Sequence, residues 1–168
     1  MKILLGIAVS LTMTVAASAQ EPTSEARTAA WFEAQRARPP MLRMFLQRMP
    51  KGGDIHTHLS GAIYAESYIA WAADRHLCAS TVTGAVGACC PPGAGPTCQA
   101  RPVADAFRDP AFYSVIVDGL STRNVANRPQ SGHDQFFDAF SKFRAATKDR
   151  TADMVAELAS RAADQNVM

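Results

Sequence analysis

His56-Thr57-His58 is the stretch of this sequence whose residue types and spacing best suit chemistry. In an extended segment, residues i and i+2 point to the same face. Two imidazoles then project side by side, near enough to share one metal ion. Imidazole nitrogens suit zinc and related transition metals. Two histidines so spaced also occur by chance at partly exposed strand ends, so the surroundings must decide. The other histidines read as structural. His76 falls near a helix C-terminus, where positive charge is favoured, and His133 precedes a helix, where it caps or is solvated. Asp54, two residues ahead of the pair, reads as structural rather than catalytic.

The elements around the pair follow from periodicity. Asp54 to Leu59 alternates polar and apolar residues, the period of a strand. Pro50-Lys51-Gly52-Gly53 turns the chain into it and Ser60-Gly61 ends it. Upstream, Thr23 or Ser24 caps a helix through Trp31-Phe32 to about residue 37, which Pro39-Pro40 breaks. Met41, Leu42, Phe45, Leu46 and Met49 recur at helical spacing and predict a second, short amphipathic helix. Downstream, helices are predicted over 62–76, 110–120, 132–147 and 148–165. Phe136, Phe137, Phe140 and Phe143 predict a core-facing stripe on the third of these, and Met154, Val155, Leu158 and Ala162 an inward face on the fourth. Asn166-Val167-Met168 begins a further strand. Strand, helical excursion, helix and strand in that order is the pattern of a parallel α/β protein.

The N-terminus predicts export. Met1-Lys2 is followed by an uncharged, mostly apolar run to Ala17, and Ala17-Ser18-Ala19 has the form of a signal-peptidase site. Residues 1–19 therefore read as a secretory signal peptide, and the mature chain as periplasmic or extracellular with no membrane segment left. Cys78, Cys89, Cys90 and Cys98 are an even set in an exported chain, which favours disulfides. Three pairings are possible, and the one joining adjacent Cys89 and Cys90 fits disulfide geometry worst. A zinc knuckle is the competing reading, but these spacings match no common ligand pattern. The segment that holds them, 78–102, is rich in Gly, Pro, Ala and Thr without a period and reads as a long loop or insertion. A net charge of +2 with no Lys/Arg run argues against a nucleic-acid partner.

The sequence from Met49 to Ala62, MPKGGDIHTHLSGA, resembles the first-strand signature of the adenosine deaminase family, in the secreted branch related to the adenosine-deaminase growth factors. Tyr64-Ala65-Glu66-Ser67, the Cys-bearing insertion, Leu120-Ser121-Thr122-Arg123-Asn124 and the Phe-rich run 132–143 are similar to further stretches of that family. The likeness extends over roughly 23–168. It implies a (β/α)8 barrel with its site at the C-terminal strand ends, and a zinc-held hydroxide that deaminates adenosine to inosine. The resemblance makes His56 and His58 two zinc ligands, and puts substrate contacts at His58, Ser60 and Gly61. Ser60 stands where intracellular members carry a ribose-holding aspartate, so the sugar contact and the substrate differ from theirs. Glu66 receives no family role. The helices over 20–50 resemble segments that serve dimerisation, which implies a possible homodimer.

The third histidine, the catalytic glutamate and the family's aspartates have no counterpart before Met168. A complete barrel takes about 250 residues, more than the 168 present. The expectation is therefore the N-terminal part of a barrel, preceded by short helices and cut near the second barrel strand: residues 51–168 as an incomplete domain with an insertion at about 78–102, inactive by itself. Two other readings stand beside it. One keeps the histidine pair but acts on another cyclic amide. The other is a complete, small, disulfide-pinned exported binding protein without catalysis.

Overall fold

The structure is a computed structural model that describes residues 21–127 and 129–167. The signal peptide assigned to 1–19 lies outside the described residues. The chain divides into two compact units, one ending at Leu46 and the other beginning at Gln47.

The first unit is a pair of helices. Helix α1 (Ser24–Arg36) starts where the Thr23 hydroxyl accepts a hydrogen bond from the Ala26 amide at 3.2 Å, satisfying one orphan donor of the first turn. Pro39 opens α2 (Pro39–Arg48), a position where its missing N–H costs nothing. Trp31 and Phe32 meet Phe45 with ring centroids 5.2 and 5.4 Å apart, so α2 turns its apolar stripe toward α1.

The second unit holds the main core. Its elements are a 3₁₀ turn (Leu59–Ala62), α3 (Ala65–Asp74), β1 (Cys78–Ser80), β2 (Val86–Gly87), β3 (Ala100–Pro102), a 3₁₀ stretch (Val103–Arg108), α4 (Pro110–Leu120), a short 3₁₀ turn (Val125–Asn127), α5 (Gly132–Phe143) and α6 (Thr151–Asp164). Tyr68 and Ile69 of α3, Ile116 and Val117 of α4, Ala139 and Phe143 of α5, and Met154 of α6 close into one buried cluster. Tyr68 stacks on Phe143 at 4.7 Å. Asp109 caps α4 by accepting from the Phe112 amide at 3.0 Å, with Pro110 opening the helix. Ser131 caps α5 through the Asp134 amide. Gly119 is required where α4 crosses the turn at Gly84, because a Cβ there would collide with the Thr83 carbonyl oxygen.

The expected start of a parallel barrel is not what forms. The unit is mostly helical, and the one sheet among its described residues is antiparallel, in the order β2-β1-β3. That sheet lies inside 78–102, which the sequence predicts as a loop. Its strands have two or three residues, too short for alternation to show. They are pinned by Cys78–Cys89 and Cys90–Cys98, and no cysteine is free. The segment predicted as the first barrel strand forms no ladder. Gly52 alone bridges, in parallel, to Val167, with the Lys51 amide donating to the Asn166 carbonyl at 2.8 Å. Beyond it, 53–58 is irregular and Ile55 is 99% exposed. A strand exists only by pairing, and parallel strands are stable when both faces are covered. Neither condition is met among the described residues.

Candidate functional site

The histidine pair is held from below by the turn that follows it. The Tyr68 hydroxyl, buried within α3, donates to the Ser60 carbonyl at 2.5 Å. Burial, and after it the negative charge of Glu157, push the Tyr68 phenol up, so it stays a donor. The Arg161 guanidinium of α6 donates to the Ala62 carbonyl and lies 4.4 Å over the Tyr64 ring. Glu157 accepts from the Tyr64 amide at 3.0 Å and pairs with Arg161 at 3.4 Å. Gly61 presses against α5, since a Cβ there would stand 2.8 Å from both the Phe136 and the Phe140 ring. These contacts fix 59–64 and so fix where His58 emerges.

Above the turn, the Asp54 carboxylate accepts from the His56 amide at 3.1 Å. This is the short side-chain-to-backbone turn that aspartate favours. It folds the segment so that His56 Nε2 and His58 Nε2 are 3.4 Å apart, with the rings 5.1 Å apart and edge-on. His58 in turn sits edge-on to three phenylalanines, with centroids 5.9 Å from Phe136, 6.1 Å from Phe137 and 5.8 Å from Phe140. His133 extends the wall, 4.9 Å from Phe137, with Nδ1 3.1 Å from Asp134 Oδ1. That contact, together with the Ser131 hydroxyl, holds the Asp134 carboxyl below its ordinary range.

The pair therefore comes together as its spacing predicts, but the predicted zinc does not follow. A catalytic zinc takes three protein ligands and leaves a position for water. Among the described residues no group of three or more His, Cys, Asp or Glu is gathered to hold a metal ion. The cysteines are committed to disulfides, and Asp54 bonds the backbone of His56. The residues present do not fit the zinc that the resemblance implies.

Of the residues tied to substrate by resemblance, Ser60 offers its carbonyl to Tyr68 and Gly61 serves close packing, both beside His58. Sequence reasoning missed the wall. The predicted core stripe of α5 is only partly core: Phe143 is buried, Phe136 and Phe140 are half-buried, and Phe137 is 50% exposed. The stripe that faces inward is Gln135, Ala139 and Phe143, all buried. The signal was present in the adjacent Phe136 and Phe137. Neighbours on a helix point about 100° apart, so one core-facing stripe cannot bury both fully. On α6, Met154 is buried as its pattern predicts, whereas Val155 is exposed.

No family model, no curated protein and no solved structure matches this chain. The two disulfides fit an oxidising environment, and among the described residues no helix is long and apolar enough to cross a membrane.

Proposed function

We propose that this chain is an exported, adenosine-deaminase-like protein that binds a purine nucleoside at the His56–His58 pair and does not deaminate it unaided. One observation carries the reading: two imidazoles with their Nε2 atoms 3.4 Å apart, one of which, His58, stands edge-on to three phenylalanines. A flat purine finds π-faces and ring edges on such a wall. The imidazole nitrogens supply a donor or an acceptor for the exocyclic amine and ring nitrogens. The first-strand resemblance supports adenosine as the occupant, and it is the resemblance that assigns Ser60, on the turn after His58, to the sugar. Turnover is another matter. Hydrolytic deamination needs an activated water and a proton donor for the ring, and among the described residues the only carboxylate bonded to the pair's backbone is Asp54. The disulfides and the leader sequence support periplasmic or extracellular residence.

Titration calorimetry of the purified mature chain with adenosine, run beside chromatographic detection of inosine, tests this. Adenosine binds, the affinity falls at least tenfold in His58→Ala, and no inosine forms. Inosine from the purified chain overturns the claim of no turnover, and unchanged affinity in His58→Ala overturns the site. A second reading, a disulfide-pinned exported binding module without catalysis, is favoured by the closed core and the two disulfides. Cooperative folding with no adenosine binding at all selects it.

A further inference from the structure

Beside Phe136 the second unit holds a cleft of about 500 Å³, within the ordinary size range of small-molecule sites. It is bounded by the turn 61–64 after His58, the start of α3, the end of α4 with the turn after it, α5 and Arg161. Its floor is apolar: Val117, Leu120, Phe136, Ala139 and Phe143. Three charged side chains line it, and two of them are already neutralised. Arg123 donates through Nε to Asp118 at 2.6 Å and through Nη2 to the Ser114 carbonyl and hydroxyl. Arg161 is paired with Glu157. Glu66 is different: among the described residues its carboxylate makes no hydrogen bond and no ion pair, although Tyr113 feels its charge.

The lining thus presents an apolar floor and one uncompensated charge, which is negative. A negative side chain in the first turn of α3 is itself favoured there, so Glu66 needs no internal cation. We propose that this cleft binds a small organic cation, a primary amine carried on an apolar or aromatic body, with the ammonium at Glu66 and the body on the Phe136–Phe143 floor. Neither guanidinium competes with the ammonium for Glu66, because both arginines are held in place by their own bonds. An anion is disfavoured because each guanidinium already has its carboxylate. Recognition needs both parts. The apolar body supplies most of the buried area, and Glu66 distinguishes the amine from a neutral molecule of the same shape.

Phenethylamine is the probe, with phenethyl alcohol as its neutral counterpart, titrated into the purified chain and followed by ligand-observed NMR and calorimetry. The amine binds at least tenfold tighter than the alcohol. Glu66→Gln, an exposed substitution that leaves the core untouched, removes that preference. His56→Ala/His58→Ala, which tests the nucleoside reading, leaves amine binding within twofold. Equal binding of amine and alcohol, or an unchanged preference in Glu66→Gln, overturns the proposal. Loss of amine binding in the double histidine variant also overturns it, because the amine would then sit on the aromatic wall. Circular dichroism of each variant confirms that the helices are intact.

Discussion

At the scale of single residues, Gly61 shows how a function read from sequence gains a mechanical cause. The resemblance names it a substrate contact, whereas the structure gives it a task of its own. It lets the turn after His58 lie flat on the Phe136 and Phe140 rings, where any Cβ would stand at 2.8 Å. An aromatic ring cannot swing aside as the tip of a lysine would. Overpacking of this kind costs about 1–3 kcal/mol. Gly61→Ala is therefore expected to lower the melting temperature and, by pushing the rings, to weaken adenosine binding together with stability. A thermal melt and an adenosine titration of the same sample check it. A variant as stable as the parent would mean that turn and rings separate freely. The nearness of His56 and His58 was legible from their spacing; their backing was not, and the zinc read from that spacing does not follow. Whether Phe136, Phe137 and Phe140 meet a core or a histidine depends on which arc of α5 the other helices cover, and that arc is the one of Gln135, Ala139 and Phe143.

At the scale of elements, caps decide where helices begin, and they respond to pH in a calculable direction. Asp109 accepts from the Phe112 amide at 3.0 Å and pairs with Arg101 at 2.9 Å. The amide bond first, and the guanidinium after it, hold its carboxyl below the ordinary range. In the unfolded chain that carboxyl titrates near its usual value of about 3.9. The folded state thus binds its proton less readily than the unfolded state. The stabilisation from this cap is fully present above that unfolded value and is lost as pH falls through the lower, folded one. Asp109→Ala should lower the melting temperature by a constant amount between pH 7 and about pH 5. The gap to the parent should then narrow as the pH drops further. A gap that stays constant into strong acid would mean that the charge at 109 contributes nothing. The helices were legible in the sequence because 3.6-residue periods are local, and Thr23, one of two candidate caps, marks a true start; the caps Asp109 and Ser131 emerge only from the structure. The sheet was not legible. Strands as short as Val86–Gly87 carry no alternation, and the disulfides that brace the segment follow one of three pairings that spacing alone allows.

At the scale of the whole molecule, the difference between a strand-like sequence and a strand explains the missing barrel. Alternation in Asp54–Leu59 states which side chains share a face, but it says nothing about what lies alongside. The backbone of a real strand is paired to a neighbour, and here the pairing stops at Gly52 and Val167. Among the described residues the amides of Ile55, Thr57 and His58 donate to no partner, and that of His56 reaches only the Asp54 side chain. The core is the opposite case: Tyr68, Ile69 and Ile116 are fully buried within helices that supply their own hydrogen bonds. Native-state hydrogen exchange follows the local free energy of opening, so it separates the two. Amides of Ile55, Thr57 and His58 are expected to exchange at nearly the unprotected rate, while those in the middle of α3 and α4 exchange only with global unfolding. Slow exchange at Ile55 and Thr57 in the free chain would mean that the segment is paired, and the absence of a ladder would be wrong. Adding adenosine sharpens the comparison. If the nucleoside seats on the histidine pair, binding must order 53–58, and protection should rise there while the α3 and α4 amides change only by the gain in global stability. Protection that appears elsewhere instead would place the nucleoside away from His56 and His58.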